Sequence, residues 1–587
     1  MWLRKSGTTD WLCFESLNDT TLTRSDVGYY YNRIRQDYSD GSVLTAHKQI
    51  IYNIPVGTYE YFAGRANSDG SPNYDACTDV HTFTVERSDK VSESGLTFVQ
   101  TSDQQGFNWD EYQMWKYSAD YIAKNENVSF MINTGDMTQN GSRINEWIDY
   151  FDAKMGLTDM PEMATVGNND LSPKDLTVLG FGSDSEKINA ENLTFFYTFE
   201  IDDTNPPIFN ITGLTIDGQT GQTVENVYVP SLYSFNYGNV HFLCINSETT
   251  HETESKIYGL PASTSDNGFI NKEIKRWAQQ DLDNYKAKNG SETSTDADHW
   301  VIAYCHEMPF TIITDSAMAG WYVEGGTSVL NGKRGGSHLN TVVRVGEDYW
   351  FSEFCQNNGI RLVIGGHKHT EATTWPLLEN VVYKETEGVT TRTVTSMMPI
   401  IQVTAADLSK YFGADGLTEI TATTYNTLPI FGKSYPSNWI ASDGTLVSSD
   451  VHGHKPNYEA FFCGFELKGD ASAITAPVYA MSQATGYKHT SNKELPNTNI
   501  PWLRYYYPKN GTKANDGQKY PFYTVWNING NTITGEVKKV NGLFTTSGTF
   551  ELNEFYVRKN APGFTINTIN GLENPYKDSD EKIIIKK

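Results

Sequence analysis

The sequence predicts an α/β core of alternating strands and helices, with β-rich segments on both sides of it. Three observations predict this. Between about residues 92 and 370, short apolar runs alternate with stretches of helical periodicity. Before residue 90, short strand-like runs are separated by Asp, Ser, Gly and Pro turns. The 13% aromatic content, with 35 Tyr and 13 Trp, favours extensive β-structure and excludes global disorder.

Taken in order, runs at 29–31, 48–52, 59–63 and 81–85 suit a small all-β sandwich of the immunoglobulin or fibronectin kind over residues 1–90. The α/β domain is placed at 91–470. It opens with an apolar strand at 96–101, followed by Tyr112, Trp115, Ala119 and Ile122 at helical spacing. Further strands are expected at 130–132, 164–166, 240–245, 301–304 and 362–364. Ile270, Ile274, Trp277, Ala278 and Leu282 mark an amphipathic helix. The stretch 171–235 has little periodicity and reads as an insertion or lid. Residues 471–587 read as a β-rich C-terminal extension. Runs at 393–403 and 460–467 are strand-like, and Asn529-Gly530 and Asn541-Gly542 signal hairpin turns between 530 and 555. The charged last dozen residues are expected to fray.

The net charge of -25 repels duplex nucleic acid and otherwise keeps the chain soluble. A phosphate ester would need a local positive charge, which a metal centre supplies. The six cysteines show no CxxC spacing, so a zinc ribbon is not indicated. Cys13 and Cys77 either bridge within the first domain or stay free. No apolar run reaches the roughly 18 residues a membrane-spanning helix needs. The N-terminal residues lack the apolar stretch of a signal peptide, consistent with a removed signal or a piece of a longer polypeptide. Seven N-x-[ST] sequons occur, but Asn140 lies inside a site motif, a poor place for a glycan.

Function is best read from the residues just beyond each strand. The strand at 96–101 leads into Ser102-Asp103-Gln104-Gln105. The next leads into Gly135-Asp136-Met137-Thr138-Gln139-Asn140, and the third into Gly167-Asn168-Asn169-Asp170. Later strands lead into His306-Glu307 and into Gly365-Gly366-His367-Lys368-His369. Ligands of open α/β sheets gather beyond the carboxyl ends of strands. Asp, Asn and His together suit hard or borderline divalent metals. Each motif alone is commonly just a turn, but five in this order are not.

This order resembles the calcineurin-like metallophosphoesterase superfamily, whose pattern is D-x-H, G-D, G-N-H-[DE], H and G-H-x-H. With a β-sandwich in front, it looks most similar to the purple-acid-phosphatase-like branch. The resemblance implies a four-layer α/β/β/α sandwich with two divalent metals (Mn, Fe, Zn or Ca). It implies one metal on Asp103, Asp136 and His369 and another on Asp136, Asn168, His306 and His367, with Asp136 bridging and Gln105 as a further, weaker ligand. A bridging hydroxide between ions ~3.5–4 Å apart would attack phosphorus in line. Asn169, His306 and His367 are the residues expected to take part in catalysis.

Three positions depart from the family pattern. Gln105 stands where many members have a His ligand. Gln139 falls where purple acid phosphatases carry an iron-binding Tyr. Asn169 replaces the His that contacts phosphate and protonates the leaving group; an amide cannot donate a proton as an acid. Asp170 and Glu307 neighbour the ligands as supporting partners. Lys333 and Arg334 either clamp phosphate or form a solvated loop, Trp321 and Tyr322 line a pocket or pack, and His452 and His454 read as a structural pair.

Three functional readings are open at this point. The first is a hydrolase of small phosphomonoesters or phosphodiesters. The second is a catalytically weakened module of the same fold in a surface or virion assembly, held through its β-domains. The third is an adhesive or carbohydrate-active β-protein with the α/β core as scaffold. The appended sandwich, by analogy, places the chain outside the cytoplasm, secreted or surface-exposed.

Overall fold

The computed structural model describes residues 1–14, 43–87, 93–141, 143–171, 191–197, 205–248, 269–289, 299–307, 351–367, 371–374, 377–386, 389–399, 478–482, 484–486, 503–507, 521–530 and 532–540, with single residues and short strands between them. Two seven-stranded sheets form the core. One runs Glu162–Ala164, Met131–Asn133, Leu96–Thr101, Phe522–Asn529, Thr532–Lys539 and Leu552–Asn553, with Ile583–Lys586 also paired to Thr532–Lys539. The other runs Tyr233–Tyr237, Val240–Cys244, Trp300–Tyr304, Leu362–Gly365, Val478–Met481, Glu371–Thr374 and Leu503–Tyr507. In each, the ligand-bearing strands are mutually parallel, so their carboxyl ends share one edge.

The sheets pack through aromatic rings. Phe98 and Phe130 both meet Phe242 edge-on at 5.4 Å, and Phe98 stacks on Phe130 at 5.3 Å. Gln100 ties the layers with its amide: Nε2 donates to the Gly365 carbonyl and Oε1 accepts from the Trp526 indole, each at 2.9 Å. Helices Trp109–Asn125 and Ile144–Ala153 lie against the first sheet, where Trp115 stacks on Tyr150 and Asn133 donates to the Tyr150 hydroxyl at 2.8 Å. Asn108 caps the first of these helices by accepting from the Glu111 amide. Helix Phe269–Asn289 covers the second sheet. His241 faces away from Phe242 by strand alternation, bonds Asp281 at 2.8 Å and stacks on Tyr285.

The N-terminal region is strand-rich, with a four-stranded sheet of His81–Val85, Gly57–Phe62, Trp2–Lys5 and Leu12–Cys13. The run expected as a strand at 48–52 is shifted. Pairing with Asn18–Thr23 sets the strand at Val43–Lys48, and Ile50 and Tyr52 lie beyond it, exposed. His81 bonds Asp159, and the Lys48 ammonium bonds the Tyr197 carbonyl at 2.9 Å, tying this region to the α/β core. Cys13 and Cys77 are both free.

The structure adds detail to three further expectations. Part of the insertion at 171–235 is a bulged hairpin of Ile208–Ile216 and Gln219–Tyr228, whose irregular register hides a period of two. The C-terminal stretch is not only an appendage: Val478–Met481 lies inside the second sheet, and the hairpin Phe522–Lys539 pairs directly with Leu96–Thr101. The chain end does not fray throughout, because Ile583–Lys586 joins a sheet. The strand-like run at 460–467 and the Asn541-Gly542 turn lie outside the described residues. No helix among the described residues is long and apolar enough to cross a membrane.

Trp526 is wholly buried, and Gly535 opposite leaves space for its ring: a Cβ there would lie 2.6 Å from it. Trp526→Ala should cost about 3–5 kcal/mol in denaturant unfolding; a dispensable appendage would barely respond. Burial also pushes the Cys244 thiol up to about 12. Alkylation of the native protein, mapped by peptide mass spectrometry, should therefore mark exposed Cys13 and spare buried Cys244, Cys305 and Cys355.

Candidate metal centre

The carboxyl ends of the two sheets meet at one point, and each side brings polar residues to it. Asp103, Asp136 and Asn168 come from the first sheet; His306, His367 and His369 come from the second. Two overlapping groups result, Asp136 with His306 and His367, and Asp103 with Asp136 and His369. Within each, the candidate ligand atoms lie within 4.8 Å of one another.

The backbone is bent to achieve this. Asp103, Asp136, His367 and His369 have φ of 53°, 56°, 78° and 51°, half of the eight described non-glycine residues in that region. Each costs of order 1–3 kcal/mol, so the clustering marks a functional constraint. Two glycines make the close approach possible. A Cβ on Gly135 would lie 2.7 Å from the Gly167 nitrogen and 2.8 Å from His306 Nδ1. One on Gly366 would lie 2.8 Å from Asp103 Oδ2 and closer still to Ser102 Oγ.

Hydrogen bonds fix which imidazole nitrogen faces inward. His306 Nδ1 lies 2.6 Å from the Thr134 carbonyl and donates to it, leaving Nε2 toward Asp136 Oδ1 and Asn168 Oδ1, each at 3.3 Å. His367 Nδ1 faces Asn168 Oδ1 at 3.0 Å, and its Nε2 lies 3.5 Å from Glu307. His369 Nε2 faces Asp103 Oδ1 at 3.3 Å. The His367 amide donates to Asp103 Oδ2 at 3.0 Å, joining the two sheets. Asp170, next to the third motif, accepts from the Thr138 amide and hydroxyl and from the Gly167 amide. Burial, then the neighbouring Asp136, pushes it up to about 7.

The field at the site is strongly negative. Burial alone would raise the Asp136 pKa, but His306 and then His367 outweigh it and hold the carboxyl well below its usual range. Burial alone would make His306 give up its proton, yet Asp136, with Asp103 and Glu248 behind it, holds that proton well above the ordinary range. A field that binds a proton so tightly would also bind a cation. The donor set of carboxylates, imidazoles and an amide carbonyl suits hard or borderline divalent ions. Gln105 Oε1 fits as well: it is buried with no hydrogen-bond partner among the described residues, which costs free energy unless a donor or cation meets it.

The amides are arranged differently from what the family pattern implies. Gln105 Nε2 donates to Asp136 Oδ2 at 2.9 Å. Asn169 donates to the same oxygen through Nδ2 and accepts from Gln139 Nε2 through Oδ1, so its side chain is engaged at both ends. Sequence reasoning missed Thr485, whose hydroxyl accepts from the Ser102 amide at 3.1 Å and whose own amide donates to the Ser102 carbonyl at 2.8 Å, bracing the first motif. The signal was present: the apolar run 478–481 is followed by Ser482, Thr485 and Gly486, the same strand-then-polar pattern. Glu146 was also missed; it accepts from the Gln139 and Asn140 amides at 2.9 and 2.7 Å. Lys368, Trp321, Tyr322, Lys333, Arg334, His452 and His454 lie outside the described residues.

No protein of curated function matches the chain. Among solved structures, a purple acid phosphatase from yellow lupin (Lupinus luteus) seeds is similar over 94% of this chain and 68% of its own, at 11% identity and a TM-score of 0.45. PhoD is similar over 87% and 82%, at 9% identity and a TM-score of 0.37. A dimetal phosphatase from Danio rerio is similar over 76% and 96%, at 8% identity and a TM-score of 0.30. The sequence profile described as calcineurin-like phosphoesterase matches residues 74–371. Because that match spans just over half of the chain and takes in both convergent groups, the chain belongs to the calcineurin-like phosphoesterase family.

Proposed function

We propose that this protein hydrolyses small phosphate esters with two divalent metal ions, one held by Asp103, Asp136 and His369 and the other by Asp136, Asn168, His306 and His367. The observation that carries the reading is the pair of three-residue groups sharing Asp136. Bound ions would supply Lewis acidity and a nucleophile at neutral pH.

The chain's own residues prepare the site for that chemistry. Thr134 accepts the Nδ1 proton of His306 and keeps Nε2 free as a donor atom. Glu307, beside His367 Nε2, leaves Nδ1 as the inward nitrogen. Asp136 sits between the two groups, and burial keeps competing water away from it. Asn169 orients Asp136 and carries no acidic proton for a departing alkoxide. Esters whose leaving groups depart unprotonated, such as aryl esters, therefore suit the site better than alkyl esters. The same engagement of Asn169 favours a second reading, a metal-binding module of this fold with little turnover.

Elemental mass spectrometry of the purified protein, paired with hydrolysis of p-nitrophenyl phosphate and its bis ester in Mn, Fe, Zn or Ca, separates the two. The hydrolase should carry about two metals per chain, and Asp136→Ala or His367→Ala should abolish turnover and lower metal content. Metal without turnover in any of these ions would leave the binding module. In the hydrolase, Asn169→His should raise the alkyl-to-aryl rate ratio by up to about 10²–10⁴, the usual worth of a general acid. An unchanged ratio would show that protonation does not limit the alkyl esters.

A further inference from the structure

The three positions at which this sequence departs from the family pattern are all amides, and they form one connected network. Gln105 Nε2 donates to Asp136 Oδ2 at 2.9 Å, and Asn169 Nδ2 donates to that same oxygen. The Asn169 backbone amide donates to Asp136 Oδ1 at 2.9 Å. Gln139 Nε2 donates to Asn169 Oδ1 at 2.9 Å. All of these side chains are buried.

An amide has a donor end and an acceptor end, and a buried one must be told which way to face. If Asn169 were turned over, its carbonyl oxygen would oppose the Asp136 carboxylate at short range, and its donor would oppose the donor of Gln139. With Gln139 Nε2 on Asn169 Oδ1 and Asp136 on Asn169 Nδ2, that orientation is disfavoured at both ends. Gln139 is itself held through its backbone, whose amide donates to Glu146 Oε2 at 2.9 Å. Its other end, Oε1, meets no hydrogen-bond partner among the described residues, so the bond to Asn169 is the one its side-chain amide makes there.

We propose that Gln139 is a positioning residue that fixes the Asn169 amide and, through it, orients the Asp136 carboxylate shared by both metal-binding groups. This rests on the reading of Asp136 as a metal ligand. The chain Gln139 to Asn169 to Asp136, joined by Gln105 from the other side, pins Oδ2 and so limits which lone pairs of the carboxylate would remain for metal ions. Groups that orient a ligand from behind typically contribute about 10–100-fold in metal affinity.

The test is Mn²⁺ titration calorimetry on full-length protein stripped with chelator, together with the melting temperature of the stripped form. Gln139→Met keeps the shape and removes the donor. It should weaken Mn²⁺ binding about 10–100-fold while leaving the metal-free melting temperature near that of the parent. Gln139→Asn, one methylene too short to reach Asn169, should do the same and serves if the first variant does not fold. Because Gln139 acts only through Asn169, Gln139→Met added to Asn169→Ala should cost nothing beyond Asn169→Ala alone. Parental Mn²⁺ affinity in both Gln139 variants, or additive losses in the double variant, would overturn the proposal while leaving the metal-centre reading intact. A parent protein that binds neither Mn²⁺ nor Zn²⁺ would overturn both.

Discussion

The two sheets approach so closely at their carboxyl ends that backbone and side chains of one become hydrogen-bond partners of the other, and the site depends on that approach. The His306 imidazole reaches across to the Thr134 carbonyl, and the His367 amide reaches back to Asp103. A Cβ at Gly135 or Gly366 would collide with His306 Nδ1 or with Asp103 Oδ2 and displace the groups that make these bonds. The positive φ values at four of the inward residues are the local cost of this geometry. The Phe98, Phe130 and Phe242 cluster, with Gln100 bridging to Gly365 and Trp526, supplies the rigid packing that holds such strain in place.

Electrostatics is set by the same geometry. Asp103, Asp136, Asp170, Glu248 and Glu307 are all buried within or beside the candidate centre, in a chain that already carries a net charge of -25. Burial first, and Glu307 second, drives the Glu248 carboxyl well above its usual range. So many acids in a low-dielectric region are tolerated only where protons or cations balance them. The raised proton affinity of His306 is part of that balance in the metal-free protein. The net charge of -25 belongs to the whole chain, whereas these buried acids are gathered beside the residues that could hold metal ions.

The features legible in the sequence were the local ones. A strand ending at once in Gly-Asp, Gly-Asn or Gly-His states both the turn and the ligand within a few residues, and the residues singled out in this way do converge. The amphipathic helix around Trp277 was equally readable, because its buried residues repeat at helical spacing. The roles of the amides were not readable, since the direction of an amide is set by neighbours from other elements: Asn169 by Gln139 and Asp136, Gln105 by Asp136. The sheet membership of Val478–Met481 and Phe522–Asn529 was hidden for a related reason. A buried central strand and a peripheral hairpin carry the same local pattern, and only pairing with a distant partner distinguishes them.

The pairing of Phe522–Asn529 with Leu96–Thr101 bears on how the protein is made. Trp526 lies 426 residues beyond the Gln100 it bonds. At ribosomal rates of about 5–20 residues per second, the strand that ends at the first ligand motif leaves the ribosome roughly 20–85 seconds before its neighbour exists. Throughout that interval one side of Leu96–Thr101 presents unpaired backbone groups and apolar side chains. Closure of the sheet therefore waits until residues 522–529 have been made, and a nascent chain stalled before residue 522 would be a sticky intermediate lacking a finished core.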